Sequence, residues 1–301
     1  MDTPRPTYKI DEENPGSDLT ADTVAAFSAA SMTFAPVYRD YAYNLLTHAK
    51  QLFVFARDYN GLYQPSITGA GEFYLSSGYQ EELFWAASWL YRAISNKEYL
   101  DFLSNQNDDG GTRTMFLWDD KYVGVQVLAA KLVLEGKVKP ADDYKYGSAA
   151  TWADDMKTQA EQFIRNCLQK GDNNIKYDTR RTAMVSTFLY RRVVQPSALL
   201  GFARPQVDYI LGSNPKNMSC MVGFGSNYPT QVHHRGASIV SVKQDPTHVS
   251  CKAGYDLWFN KNLIGGPDQN DGYTDSRSNF QMAEPTTVTT ASLFSVLARL
   301  A

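Results

Sequence analysis

Two segments of this 301-residue chain hold, at close spacing, the residue types that do acid–base chemistry. Residues 219–235 read Ser-Cys-Met-Val-Gly-Phe-Gly-Ser-Asn-Tyr-Pro-Thr-Gln-Val-His-His-Arg, which sets two of the four histidines, His233 and His234, beside Arg235. An imidazole can hold a hydroxyl or pass a proton, and a guanidinium grips a carboxylate or a sugar oxygen. The same histidines also suit simple loop bonds to backbone. Metal binding is the weaker reading, because adjacent histidines seldom converge on one ion and no third ligand stands nearby. Residues 265–285 carry four carboxylates, Asp268, Asp271, Asp275 and Glu284, interleaved with Tyr273 and Phe280. Two carboxyls in unlike surroundings are what hydrolysis of a glycosidic bond needs, one protonated and the other ionised. Solvated loop carboxylates and a calcium loop are the competing readings. A helix–loop–helix calcium hand fits poorly, since this loop lacks the required Gly and Glu and 105–116 ends in Phe116. No nucleophile elbow, phosphate loop or dinucleotide fingerprint is present.

The elements that must position these groups read as helices. Thr20 is placed to cap a segment carrying Val24, Phe27 and Ala30. Over 38–59 a stripe of Tyr41, Leu45, Ala49, Leu52 and Ala56 follows the helical period, and 79–95 repeats it with Leu83, Ala87, Leu90 and Ile94. An apolar helix over 123–134 is closed by Gly136, and a more polar one covers 149–170. Pro196 suits a first helical position, followed by Leu199, Ala203, Val207 and Ile210 before Gly212 stops the segment. The last helix starts after Pro285. Period-two strands are scarce, so the fold class is all-α in one domain, either a solenoid or a closed ring of helical hairpins, although no fixed repeat is visible. Residues 174–196, in which paired arginines bracket a short apolar run, break the regularity. The Gly/Asn/Asp-rich stretch 212–285 is a loop region long enough to imply function.

Composition removes several function classes. With 29 Lys plus Arg against 32 Asp plus Glu, and no basic cluster, nucleic acid is not an expected partner. No apolar run approaches the roughly 20 residues of a membrane helix, and the first residues, Met1-Asp-Thr-Pro, carry no signal-peptide core. Aromatics reach 13% with 19 Tyr, a content that suits sugar stacking and large cores alike. The three cysteines, Cys167, Cys220 and Cys251, fit no zinc spacing and read as structural thiols, with a Cys220–Cys251 pair open in an oxidising compartment.

Residues 219–235 resemble the first active-site signature of glycoside hydrolase family 9, the cellulase family common in plants, with His233 and Arg235 on its His-x-Arg. Tyr273-Thr-Asp275, Phe280 and Glu284 look like the second signature. Val207-Asp-Tyr-Ile-Leu-Gly-Ser-Asn-Pro215, Gly265-Gly-Pro-Asp-Gln-Asn-Asp271, Ser77-Gly-Tyr-Gln-Glu-Glu-Leu83, Phe116-Leu-Trp-Asp119 and Asp2-Thr-Pro-Arg5 are similar to other family stretches, in the family's order. The resemblance implies an (α/α)6 barrel of helical hairpins with an open cleft, incomplete in this chain, and inverting hydrolysis of internal β-1,4-glucosidic bonds. It implies Glu284 as the general acid and Asp275 and His233 beside it in the catalytic group. Arg235, Tyr273 and Phe280 are implied to bind the glucan, with Tyr79, Trp85 and Trp118 as further aromatic candidates. It implies no cofactor or metal, a monomer, and a secreted or cell-wall protein whose signal or anchor is not in this chain.

The sequence departs from the family in three places. Met1 falls where the family is already mid-chain, so residues 1–301 read as one catalytic domain without its leading helices or the Asp-Ala-Gly-Asp motif that carries the base. Residues 177–194 are basic and unlike the family, as an altered reading frame or a skipped exon would leave them. Thr290-Ala291 stands where the family ends its signature in Asn-Ala. The alternative to an endoglucanase is therefore an inactive glucan-binding remnant or a partial gene model. An incomplete ring is expected to expose apolar faces.

Overall fold

The computed structural model describes residues 6–105, 111–113, 116, 118–138, 147–168, 196–234, 243–247, 264–268 and 270–300. The chain divides into two compact units, Pro6–Asn174 and the C-terminal Ile175–Ala301. Secondary structure among the described residues is helical, apart from isolated bridge positions at Met221 and between Ile264 and Pro285.

The N-terminal unit holds α1 (Ser17–Phe34), α2 (Arg39–Asp58), α3 (Thr68–Gly71), α4 (Gln80–Ile94), α5 (Lys97–Ser104), α6 (Tyr122–Leu134) and α7 (Gly147–Leu168). Its core is built where α1, α2 and α4 meet on small side chains: Ala21, Ala49, Ala56, Ala86 and Ala87 are buried. Small residues let helix axes approach, and larger neighbours fill the remaining space. Phe53 does this on α2, with ring centroids 5.2 Å from Tyr99 and 5.4 Å from Phe102, both edge-on. Helix α6 is buried on nearly every side, and Gly124 makes this possible, because a Cβ there would meet the Trp85 ring at 2.6 Å.

Two details differ from the sequence reading. Thr20 lies inside α1 rather than capping it. Its hydroxyl donates to the Gly16 carbonyl at 2.6 Å, while the helix start is fixed by Ser17 Oγ donating to Ala56 O and by Asp18 accepting from the Tyr63 N–H. On α2 the stripe is rotated at its ends. Tyr41 is exposed and Leu52 only partly buried, and Ala42 and Phe53 take the inner positions because they match the small-and-aromatic packing of α1, α4 and α5. Elsewhere the punctuation is as read. Gly136, at φ 69°, closes α6 with its own N–H bonded to Val133 O at 3.0 Å and the Lys137 N–H to Leu132 O at 2.9 Å.

The C-terminal unit holds α8 (Pro196–Ile210), the single turn α9 (Phe280–Ala283) and α10 (Thr287–Leu300). Pro196 opens α8, and Gly212, at φ 117°, ends it with the Ser213 N–H on Asp208 O at 2.8 Å. Ala203, Val207 and Ile210 of α8 form a core with Leu293 and Val296 of α10 and with Cys220, Val222, Val232 and Ile264 from the loops. Cys251, and with it the Cys220–Cys251 question, lies outside the described residues, as does the basic stretch 177–194.

Candidate functional site

The expected site residues that are described lie in the C-terminal unit, on loops fastened to α8. The Cys220 N–H donates to Ile210 O at 2.7 Å, just before Gly212 turns the chain, and the Cys220 carbonyl accepts from the Ile264 N–H at 3.1 Å. Ile264 is buried and pairs with Pro285, so the two ends of the acidic loop are anchored beside α8. From there the Gly265 N–H donates to Glu284 O at 3.1 Å and the Gly266 N–H to Met282 O at 2.8 Å. A Cβ on Gly265 would stand 2.4 Å from the Gln281 carbonyl oxygen and 2.8 Å from that of Met282. Glycine is what lets the two backbones lie this close. Glu284 itself ends α9 in extended backbone, φ −76° and ψ 120°, as a residue before proline must.

The four carboxylates sort into different tasks. Asp268 closes its own turn, accepting from the Asn270 and Gly272 N–H groups at 2.8 Å each. Asp271 sits in a left-handed turn at φ 60° and accepts from the Tyr209 hydroxyl on α8. Asp275 accepts three bonds, from the Thr230 N–H (2.8 Å), the Thr230 hydroxyl (3.0 Å) and the Gln231 N–H (3.0 Å). It therefore staples the histidine loop to the acidic loop. Glu284 is half-buried at the end of α9.

His233 is held at both ends. Its N–H donates to Ala283 O at 2.9 Å, next to Glu284, and its Nδ1 lies on the Arg277 carbonyl. A carbonyl only accepts, so the hydrogen-bond pattern assigns the Nδ1 proton and leaves Nε2 of the neutral ring as an acceptor. The ring lies 5.8 Å from that of Phe280, which is itself exposed. Tyr273 packs its ring against the α8–α10 core with its hydroxyl buried. Burial first, then the Asp275 charge, pushes that phenol well above its usual range. Arg235 lies outside the described residues.

In the N-terminal unit the three aromatic candidates separate. Tyr79 and Trp85 pack against the core, whereas Trp118 is exposed and meets the exposed Tyr74 edge-on at 6.3 Å. The Ser77 N–H donates to Asp119 at 2.9 Å, fixing the Trp118 turn to the 72–78 loop. The sequence reading missed Tyr74; its signal was an apolar triplet, Phe73-Tyr74-Leu75, outside any periodic segment.

The same unit hides a charged cluster. Lys121 reaches Asp22 at 3.0 Å and Glu82 at 3.4 Å and donates to the Trp118 carbonyl. Glu82 is 2% exposed, and burial first, then the adjacent Glu81 carboxyl, pushes it up to about 9. Among the described residues no three His, Cys, Asp or Glu side chains gather as a metal site, and no helix is long and apolar enough to cross a membrane.

Comparison with known proteins gives the site a context. The family model described as Glycosyl hydrolase family 9 matches residues 1–297. Arabidopsis thaliana Endoglucanase 13 is 50% identical over 99% of this chain and 66% of its own length, and Endoglucanase 15 of the same plant is 48% identical over 100% and 67%. The chain thus spans about two thirds of the curated relatives it matches. Among solved structures, an endoglucanase from the termite Nasutitermes takasagoensis is 36% identical with a TM-score of 0.78, covering 100% of this chain and 68% of that one. The cellulase Cel9M of C. cellulolyticum in complex with cellobiose is 26% identical with a TM-score of 0.72, covering 97% and 65%.

Proposed function

The chain belongs to glycosyl hydrolase family 9, whose fold is the (α/α)6 barrel, and on that premise we propose that it is an endo-β-1,4-glucanase. It acts on internal bonds of cellulose or related glucans, with inversion. The observation that carries the assignment is the fixing of Glu284: α9, the Gly265–Gly266 backbone and Pro285 hold its main chain from three sides. Glu284 is the general acid and protonates the leaving oxygen. His233, its Nδ1 spent on Arg277, uses Nε2 to accept from a sugar hydroxyl, with Phe280 beside it. Asp275 works by holding Thr230 and Gln231, and so the histidine loop, in register. Arg235 and Tyr273 complete the glucan-binding set, and the exposed Trp118–Tyr74 pair is a stacking surface for sugar rings. Residues 1–301 belong to one catalytic domain, acting as a monomer without cofactor on secreted or wall-bound duty.

Inversion needs a second, ionised carboxylate across the sugar to activate water. Asp275 has both oxygens on Thr230 and Gln231, while Asp268 and Asp271 each commit one oxygen, to loop N–H groups and to the Tyr209 hydroxyl, and we assign the base to none of them. This favours a second reading, a glucan-binding remnant that keeps the acid half of the site without turnover.

Release of reducing ends from a soluble β-1,4-glucan separates the two. The endoglucanase produces them, first as α-anomers, and Glu284→Gln lowers the rate on the order of 10²–10⁴-fold. A folded chain that binds the glucan in an affinity gel but releases no ends, with or without the substitution, establishes the remnant instead.

A further inference from the structure

Residues 214–227 contain a chemistry that glucan hydrolysis does not use. Asn217-Met-Ser219 is the chain's one Asn-x-Ser/Thr triplet with a middle residue other than proline. It sits in the turn that follows α8, where three asparagines have different fates. Asn214 spends its amide on Tyr209 O (2.8 Å) and Met218 O (2.7 Å) and its oxygen on the Lys216 and Met218 N–H groups. Asn227 spends its amide on Lys216 O (3.2 Å) and Asn217 O (3.1 Å). Asn217 is exposed, at a left-handed φ of 48°, and its side chain makes no hydrogen bond among the described residues. Two asparagines build the turn and the third is displayed by it.

We propose that Asn217 is the acceptor of an N-linked glycan. The donor is an oligosaccharide carried on a lipid pyrophosphate. The Asn217 amide nitrogen forms a bond to the first sugar carbon, the bond from that carbon to the pyrophosphate oxygen breaks, and the amide gives up one proton as the lipid pyrophosphate leaves. The Asn-x-Ser triplet is what such a transfer reads, and it places the product on a surface loop of a secreted protein. The folded structure also dictates when this happens. Ser219 is 2% exposed, with its hydroxyl accepting from the Met221 N–H at 3.0 Å, so the triplet is readable only before this turn closes. Once the turn has formed, the Asn227 amide still bonds Lys216 O and Asn217 O, and the glycan stands on the exposed side of the same turn, ahead of Thr230 and the histidine loop.

The inference rests on the secretory destination proposed above, and its test separates the two. The full chain, translated behind a cleavable endoplasmic-reticulum leader with an Asn-Ala-Thr tag at its C-terminus, is exposed to microsomes. Two endoglycosidase-sensitive mobility steps are expected. Asn217→Gln and Ser219→Ala each remove one step, and Ser219→Thr keeps both. A chain glycosylated only on the tag overturns the assignment of Asn217, because entry and transferase are then proven. The secretory reading fails separately, when the microsomal chain carries the glycan at Asn217 but the protein from its own cells does not.

Discussion

The two units of this chain are held together by different means. In the N-terminal unit, faces of long helices meet over alanines and aromatic rings, and most of the described residues lie in helices. In the C-terminal unit, the described structure between α8 and α10 has one helical turn, and loops hold loops through named backbone pairs such as Gly265 to Glu284 and Cys220 to Ile210. Volume decides whether the first arrangement stands. Hydrogen-bond geometry decides the second, where a displacement of a fraction of an ångström moves the proposed acid, Glu284. Substitutions in the two units should therefore fail in different ways.

The largest separation is expected from Phe53→Ala. The side chain is 2% exposed and touches Tyr99 and Phe102 edge-on, so truncation opens a cavity worth about 3–5 kcal/mol. For a domain of this size the melting temperature should fall on the order of 10 °C. Turnover per folded molecule, measured well below the melt, should be unchanged. A variant that keeps its melting temperature but loses turnover would erase the distinction between the units.

Gly265→Ala is the converse. The new methyl collides with the carbonyl oxygens of Gln281 and Met282, and relieving that overlap costs about 1–3 kcal/mol while pushing α9 away. Glu284 ends α9, so the shift is delivered to the proposed acid. Turnover should fall roughly 10²-fold, the penalty of misplacing a catalytic group by about an ångström. Circular dichroism should report intact helices. Unchanged turnover would mean that the clamp around Glu284 is structural only.

Most of the helices in both units are legible in the sequence because their rules are local. The 3.6 period marks α2 and α4, Gly136 and Gly212 mark helix ends, and Pro196 marks a start, each for a steric reason that does not depend on distant residues. The errors come where tertiary contacts overrule: Ser17 and Asp18, bonded to Ala56 O and the Tyr63 N–H, start α1 ahead of Thr20, and Phe53 rather than Leu52 turns inward because Tyr99 and Phe102 wait there. Helix α5 carried a readable signal that was passed over, the Asn96 side chain accepting from the Glu98 N–H at 3.1 Å. In the loop unit the residue types were legible and their division of labour was not. Four carboxylates in one loop look alike until Tyr209, Thr230 and the Gly272 N–H, up to 62 residues away in sequence, claim three of them.

The subtlest difference between the units is their response to pH, and it is carried by Glu82. This carboxyl is nearly inaccessible, and burial together with the Glu81 carboxyl raises it from its ordinary 4.5 to about 9, against the attraction of Lys121. Between those values the folded chain binds the proton and the unfolded chain does not. The sign follows directly: stability from this group is full at low pH and is lost as pH rises through the window, by at most about 1.4 kcal/mol per pH unit. Asp22 and Glu81, both also raised by burial, push in the same direction. Melting curves taken from pH 5 to pH 8 should show the wild-type transition falling with pH and that of Glu82→Gln falling less, since the amide keeps the shape and carries no titrating proton. Because the Lys121 contacts to Asp22, Glu82 and the Trp118 carbonyl tie α1 to α4 and to the start of α6, the slope should be read in the melting of the N-terminal helices. Parallel slopes in wild type and variant would show that Glu82 carries the same charge in the folded and unfolded chain and does not set the pH response.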